Sequence, residues 1–321
     1  MSELRKEPIA QRWVVITQPE ETSAQHGCPF CPGHEGDTPP ELYAVRGHGT
    51  EPNTPGWQVR IVPNKYPFLH PEGELMKRGV GISDAMNGIG AHEIVIETPE
   101  HAQRWATMPA AQLANVFSAY RQRLLALRSD ARLKYIVVVK NHGTFAGRLS
   151  HPHSHIVAFP VVPKRIEEEL GGTFEYYQFH ERCIYCDMMR EETGGHERLI
   201  LETAGFLALA PFASRYPFEV WVIPKDHVPD FPQIEELALF DLAQLMRRLS
   251  SAVEKALDDP FYSVALHSTP LQERFQRQYH WHFEIRPRVG QPTGFEWATG
   301  VFINPIPPEE AAARLRRAIG S

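Results

Sequence analysis

Cysteine is scarce, with four in 321 residues, so a disulfide framework is excluded as the main source of stability. No apolar run approaches the roughly 18 residues that a bilayer span needs. The N-terminal stretch, residues 1–13, lacks the apolar core of a signal peptide, and a cytoplasmic protein with no membrane partner is expected. An excess of positive charge is also missing: 33 Lys+Arg against 39 Asp+Glu leave a net charge of −6. That balance argues against nucleic acid as a partner but leaves room for a small phosphorylated ligand. Low-complexity runs are absent, and 42% hydrophobic with 10% aromatic residues excludes a disordered chain. At roughly 150 residues per domain, the length implies two domains or one duplicated unit.

Histidine, by contrast, is abundant, with sixteen copies. The four Cys form two CxxC pairs, Cys28–Cys31 and Cys183–Cys186. In a reducing compartment such pairs bind metal or do redox work more often than they form structural disulfides. A redox CxxC belongs between a strand and its helix, whereas Cys28 follows a polar stretch and Pro32-Gly33 follows Cys31. This context suits a zinc knuckle. Tetrahedral Zn²⁺ then needs two further ligands per pair, and imidazole is the natural complement to thiolate. Buried free thiols are the alternative.

The order of elements after each pair is the same. A strand-like segment ending in an acid and a His comes first, His92 to His101 and Phe218 to His227. A stretch with helical apolar spacing follows, Leu113, Val116, Phe117, Tyr120 and Leu124, matched by Leu239, Leu242, Leu245, Met246 and Leu249. Next come β-branched strands at Tyr135 to Val139 and Tyr262 to Leu266, and then strands with alternating histidines, His151-Pro-His153-Ser-His155 and His280-Trp-His282-Phe-Glu284. Five matched elements in series indicate an internal duplication. The repeat supplies candidate ligands for one or two Zn²⁺ ions: Cys28, Cys31, His101 and His151, and Cys183, Cys186, His227 and His280. An oxygen-and-nitrogen site from Glu169, His267, His280 and His282 is an open alternative in the second half, and His101 and His227 could also be plain loop histidines.

His153 lies on one face of its strand with His151 and His155, because residues two apart share a face. A neutral imidazole is a nucleophile at neutral pH, and its attack on an α-phosphorus splits one hard displacement into two easier ones. Such chemistry needs one ring nitrogen free, the other held protonated, and donors for the phosphate oxygens. Asn141, Arg148, Ser150 and the amides near Gly143 and Gly147 are candidate donors, with Asn64 and Lys65 as further nucleotide and phosphate contacts. A triple-His metal site is the competing reading of this strand.

Ala146 to His155 resembles the histidine triad superfamily, and the chain resembles its duplicated branch, the galactose-1-phosphate uridylyltransferase family. The matching stretches are Arg12 to Ile16, Cys28 to Gly33, Val62 to Pro67, Pro99 to His101, His151 to His153 and Gly294 to Glu296. The resemblance implies an α+β fold of duplicated histidine-triad-like halves, each a mainly antiparallel sheet with flanking helices, in a layout that lets the halves merge into one sheet. Residues 1–165 would form the catalytic half and 166–321 the supportive half. A short linking helix stopped by glycines is expected at residues 164–172, and a packing helix at residues 307–320. The resemblance also implies a nucleotidyltransferase in which His153 takes the nucleotidyl group, aided by His155 and Ser150, while Glu296 contacts the sugar. UDP-glucose and a hexose 1-phosphate would be the substrates, a homodimer the assembly, and galactose metabolism the setting. Two departures stand out. His155 replaces the Gln usual in the transferases, as in the hydrolase branch, and the tail from Thr299 to Pro305 lacks the family's sugar-contacting Gln. An ADP-sugar or dinucleoside-polyphosphate phosphorylase, an adenylyltransferase or a hydrolase therefore remains an alternative, as does a non-catalytic zinc-stabilised nucleotide-binding protein.

Overall fold

The computed structural model describes residues 2–17, 27–143, 149–271, 277–290 and 293–320. Runs rich in β-branched and aromatic residues become fourteen strands among the described residues. In the first half these are β1 (Glu3–Lys6), β2 (Trp13–Ile16), β3 (Tyr43–Arg46), β4 (Trp57–Pro63), β5 (Arg78–Val80), β6 (Ser83–Asn87), β7 (Ala91–Ile96), β8 (Tyr135–His142) and β9 (His153–Phe159). The second half adds β10 (Leu199–Glu202), β11 (Phe206–Leu209), β12 (Val220–Pro224), β13 (Tyr262–His267) and β14 (His282–Pro287). The helices are α1 (Ala110–Leu127), α2 (Lys164–His180), α3 (Ile184–Gly195), α4 (Glu236–Leu257), α5 (Gly294–Thr299) and α6 (Pro308–Gly320).

Ten strands form one sheet in the order β10-β11-β12-β14-β13-β8-β9-β7-β4-β3, and all its neighbours are antiparallel. The order is a near-palindrome. β3-β4-β7-β9-β8 is answered by β10-β11-β12-β14-β13, with α1 joining β7 to β8 and α4 joining β12 to β13. This is the α+β architecture of two merged, duplicated halves that the resemblance implied. A separate small sheet, β2-β1-β6-β5, holds the N-terminal strands.

The two faces of the large sheet have different fates. Val95, Ile156, Ala158, Leu266, Phe283 and Ile285 point to one face and pack against α1, α4 and α6 in the main core. All ten apolar positions read at helical spacing in α1 and α4 are buried there. Phe117 of α1 bridges the halves, its ring centroid 5.8 Å from that of Phe283 on β14. α6 covers α4 and β10, burying Ala311, Ala312 and Leu315.

The linking helix differs from expectation. α2 runs through Gly171 and Gly172 and stops only at Glu181, which takes the left-handed conformation. Ile166, Leu170 and Thr173 are buried on its inner side, and that packing outweighs the roughly 1 kcal/mol that each helical glycine costs. Phe117→Ala is expected to lower unfolding free energy by about 3–5 kcal/mol, through lost burial and a cavity at the junction of the halves. Urea denaturation of the two proteins checks this.

Candidate active site and metal-binding clusters

The opposite face of the sheet carries the polar chemistry. On β9, His153 sits across from Ile96 of β7, and His155 sits across from Ile94 of β7 and Val139 of β8. Asn141, two residues beyond Val139, shares that face, and its Oδ1 accepts a hydrogen bond from Ser263 Oγ of β13 at 2.8 Å. His153 Nδ1–H donates to the His151 carbonyl at 2.7 Å. The proton is thereby fixed on Nδ1, and the lone pair stays on Nε2. Burial pushes the His153 pKa down, so the ring is neutral and nucleophilic at neutral pH. Phe30 from the first CxxC turn packs edge-on against it, with centroids 5.5 Å apart.

His155 lies beside His153, with ring centroids 5.2 Å apart. Its Nδ1 is 3.1 Å from Nε2 of His92 on β7. Asn64 joins the group through its Nδ2, which is 3.3 Å from His92 Nδ1 and 3.1 Å from His92 Nε2. Burial lowers the pKa of His92 to about 4 and that of His155 to about 3. His92 was not read as a site residue from the sequence, where it stood only as the start of the strand-like segment ending at His101.

On the helix side of β9 a buried polar network supports the strand. Lys140 Nζ pairs with Glu97 Oε2 at 2.6 Å. Glu97 also accepts from Trp105 Nε1 at 3.0 Å and from Tyr120 Oη at 3.3 Å. Tyr120 Oη in turn lies 2.7 Å from Ser154 Oγ. Of these residues Tyr120 was read from sequence only as an apolar position of α1, and the network itself was not, because a Lys and a Glu in separate strands give no local pattern.

Both CxxC pairs meet two histidines. Cys28 and Cys31 Sγ lie 3.7 and 3.6 Å from His151 Nδ1, and Cys31 Sγ lies 3.3 Å from His101 Nδ1. Cys183 and Cys186 Sγ lie 3.4 and 3.8 Å from His280 Nδ1, and Cys186 Sγ lies 3.5 Å from His227 Nδ1. A tetrahedral Zn²⁺ with Zn–S about 2.3 Å and Zn–N about 2.1 Å has S···N edges of about 3.6 Å. The observed separations scatter around that value. His151 and His280 donate their Nε2–H to the Thr98 and Asp226 carbonyls, at 2.7 and 2.9 Å. The Nδ1 atoms are thus free of protons and turned to the thiols, which is the outer support expected of a ligand histidine. Both clusters could hold a metal ion.

The alternative second-half set is split by the structure. His280 faces the cysteines, while Glu169, His267 and His282 gather instead with Glu284. There Glu169 is 3.1 Å from His267 Nδ1. Burial works against ionisation of Glu169, but His267 outweighs it and brings the carboxyl pKa to about 2. Arg165 and Arg215 both bond Glu284.

The remaining candidates are spread out. Ser150 is exposed, with Oγ 2.9 Å from His101 Nε2, so its contact is with the knuckle. Lys65 is exposed. Glu296 caps α5 by accepting from the Thr293 N–H and O–H, both at 2.5 Å. Arg148 and Gly147 lie outside the described residues.

A duplicated antiparallel sheet with a prepared imidazole on one half is the architecture of a nucleotidyltransferase built by fusing two similar units. The chain belongs to the galactose-1-phosphate uridyl transferase family: the N-terminal domain of that family matches residues 62–163 and the C-terminal domain residues 169–289. An ADP-glucose phosphorylase of Arabidopsis thaliana is 34% identical, over 98% of this chain and 92% of that protein. A galactose-1-phosphate uridylyltransferase of Thermotoga maritima is 30% identical, over 98% of each. Among solved structures, an Arabidopsis thaliana ADP-glucose phosphorylase with bound ADP-glucose superposes with a TM-score of 0.81 at 33% identity, covering 98% of this chain and 99% of that one. A uridylyltransferase gives a TM-score of 0.86 at 27% identity, covering 99% and 98%. Among the described residues, no helix is long and apolar enough to cross a membrane.

Metal analysis of the purified protein is expected to find one zinc ion for each Cys2His2 cluster, and Cys28→Ser to lose one of them with a lower melting temperature. Less than one ion per chain would contradict the assignment. A pH effect also follows. Above the ordinary pKa of 6.5, His92 is neutral in both folded and unfolded chains. As pH falls from 6.5 towards about 4, only the unfolded chain takes up this proton, so stability declines. His92→Gln should reduce the slope of unfolding free energy between pH 6 and 4.5 by up to about 1.4 kcal/mol per pH unit. Urea titrations across that range read the slope.

Proposed function

We propose that this enzyme transfers a nucleotidyl group from a nucleoside-diphosphate hexose to a phosphate acceptor through His153, with UDP-glucose as donor and galactose 1-phosphate as acceptor. The observation that carries the reading is the 2.7 Å hydrogen bond from His153 Nδ1–H to the His151 carbonyl, which leaves Nε2 unprotonated on the accessible face. Nε2 attacks the α-phosphorus and forms a P–N bond. The bond to the bridging oxygen breaks, and hexose 1-phosphate leaves with that electron pair. A phosphate oxygen of the second sugar phosphate then attacks, and the P–N pair returns to Nε2. Zinc, when bound, would supply a structural clamp at Cys28, Cys31, His101 and His151. These residues fix the entry to β9, and Cys183, Cys186, His227 and His280 do the same for β14. Asn141, Ser150 and Lys65 are proposed as phosphate and nucleotide contacts, and Glu296 as a sugar contact. In this reading residues 1–165 carry catalysis and residues 166–321 support it.

A second reading, phosphorolysis of ADP-glucose, is favoured by the 34% identity to a plant ADP-glucose phosphorylase and by His155. It shares the covalent step and differs in base and acceptor. His153→Ala is expected to abolish exchange and the covalent nucleotidyl-enzyme, and retained turnover would refute the nucleophile. Incubation with radiolabelled UDP-glucose or ADP-glucose, followed by galactose 1-phosphate or inorganic phosphate, separates the readings. Uridylyl label released by galactose 1-phosphate supports the first, and adenylyl label released by phosphate the second.

A further inference from the structure

We propose that His92 is a positioning residue that fixes the tautomer of His155, so that His155 presents Nε2–H as a donor to the phosphoryl group held at His153. The inference rests on the nucleotidyl-histidine reading above for its function, but its structural part stands on geometry alone.

The argument begins at Asn64. Its Oδ1 accepts the Tyr66 backbone N–H at 3.0 Å, which turns the amide NH2 towards His92. An amide NH2 only donates, so one ring nitrogen of His92 must be without a proton. Asn64 Nδ2 lies 3.3 Å from His92 Nδ1 and 3.1 Å from Nε2; because Nε2 also faces His155 Nδ1, the amide is matched at Nδ1 and His92 carries its proton on Nε2. Nε2–H then points at His155 Nδ1, 3.1 Å away. His155 must accept there, and its own proton is placed on Nε2. In the reverse arrangement, His92 Nε2 would accept from both Asn64 and His155. An sp² ring nitrogen has a single lone pair, so that arrangement leaves one of the two donors unmatched.

The surroundings hold this order in place. His92 is only 8% exposed, and the Phe68 ring lies over it with centroids 4.3 Å apart. Water therefore has little access to offer a competing partner. The edge-on ring of His155, 5.2 Å from that of His153, brings a donor nitrogen beside the atom that would carry the phosphoryl group. A neutral N–H there favours the extra negative charge that gathers on phosphoryl oxygens during transfer. The chain Asn64, His92, His155 thus converts a residue of undefined tautomer into a fixed donor.

Two measurements test this. In ¹⁵N-histidine-labelled parent protein, two-bond ¹⁵N–¹H spectra should show His155 protonated on Nε2 and bare on Nδ1, the signal being assigned by its loss in His155→Gln. A proton on Nδ1 would overturn the proposal whatever the enzyme's substrate. In single-turnover assays with labelled nucleotide sugar, His92→Phe should slow formation of nucleotidyl-His153 by about 10-fold to 100-fold, with little change in substrate affinity. His92→Gln should recover most of that rate, because a glutamine amide can still donate to His155 Nδ1. A Gln at position 155 brings its own NH2 donor and needs no tautomer partner. In a His155→Gln background, His92→Phe should therefore change the rate less than about 3-fold, the non-additivity expected of two residues acting as one unit. Equal losses in both backgrounds, or no recovery by His92→Gln, would assign His92 a merely structural role. If the parent forms no covalent nucleotidyl-enzyme, the function reading fails while the tautomer result still stands or falls on its own spectrum.

Discussion

The antiparallel pairing of β8 with β13 is the constraint on which the rest of the molecule depends. It runs from Tyr262 opposite His142 to Leu266 opposite Val138. Without it each half would expose a long β-branched edge, a template for aggregation. With it, both edges disappear, α1 comes to lie beside α4 on one side, and the other side becomes a single surface spanning both halves. Because the side-chain period along a strand is two, a one-residue slip here would turn every polar group on that surface into the core. The register is pinned from both sides, by Leu266 in the helix-covered core and by the Ser263–Asn141 hydrogen bond on the open face.

One strand from that seam, β9 is held from three directions. Behind it lies the Lys140–Glu97 pair, with Glu97 fully buried. Taking two charges out of water costs several kcal/mol per ion before their attraction is counted, so the pair is tolerable only because Trp105 and Tyr120 also bond Glu97. Lys140 Nζ additionally reaches towards the His153 carbonyl at 3.5 Å. At its start, the strand is fixed by His151, which is tied to the Thr98 carbonyl and faces two thiols. On its open side, His92 and Asn64 meet His155. A nucleophile attacking in line gains most when its orientation is set beforehand, and each of these contacts removes a degree of freedom from the strand that bears it.

Much of this was legible in the sequence, for a physical reason. Repeated order is a one-dimensional property, so the CxxC pairs, the two helices and the HxH strands declared the duplication and offered both Cys2His2 sets as candidates before any coordinates, with Glu169, His267, His280 and His282 left open in the second half. The apolar stripes of α1 and α4 were equally plain, because burial imposes their spacing. What escaped detection depends on contacts between strands. His92 reaches His155 only through the pairing of β7 with β9, and Lys140 finds Glu97 across 43 residues of chain. The glycines of α2 misled because local propensity stops a helix there, whereas packing against the second half's sheet carries it on. Ser150 and Glu296 were read as site residues from short motifs, and their local partners, His101 and Thr293, were not part of that reading.

The two halves, alike in topology, show how cover decides chemistry. His282 repeats His153 in holding Nδ1–H against the carbonyl two residues back, at 3.2 Å. Its strand, however, lies under α2, which brings Glu169 and Arg165 down onto it. Where the first half has His155, the second has Glu284, and Arg165 and Arg215 neutralise that carboxylate. His267 is drawn into an ion pair with Glu169, whose attraction outweighs the burial that would discharge the imidazole. Among the described residues the His282 Nε2 is buried without a hydrogen-bond partner, so a substrate cannot reach the nitrogen whose counterpart in the first half is the proposed nucleophile. The same strand therefore yields a neutral imidazole with a fixed Nδ1 proton where its face is left open and a packed ionic cluster where a helix closes it. The second half provides β13, the strand against which β8, and through it β9, is aligned.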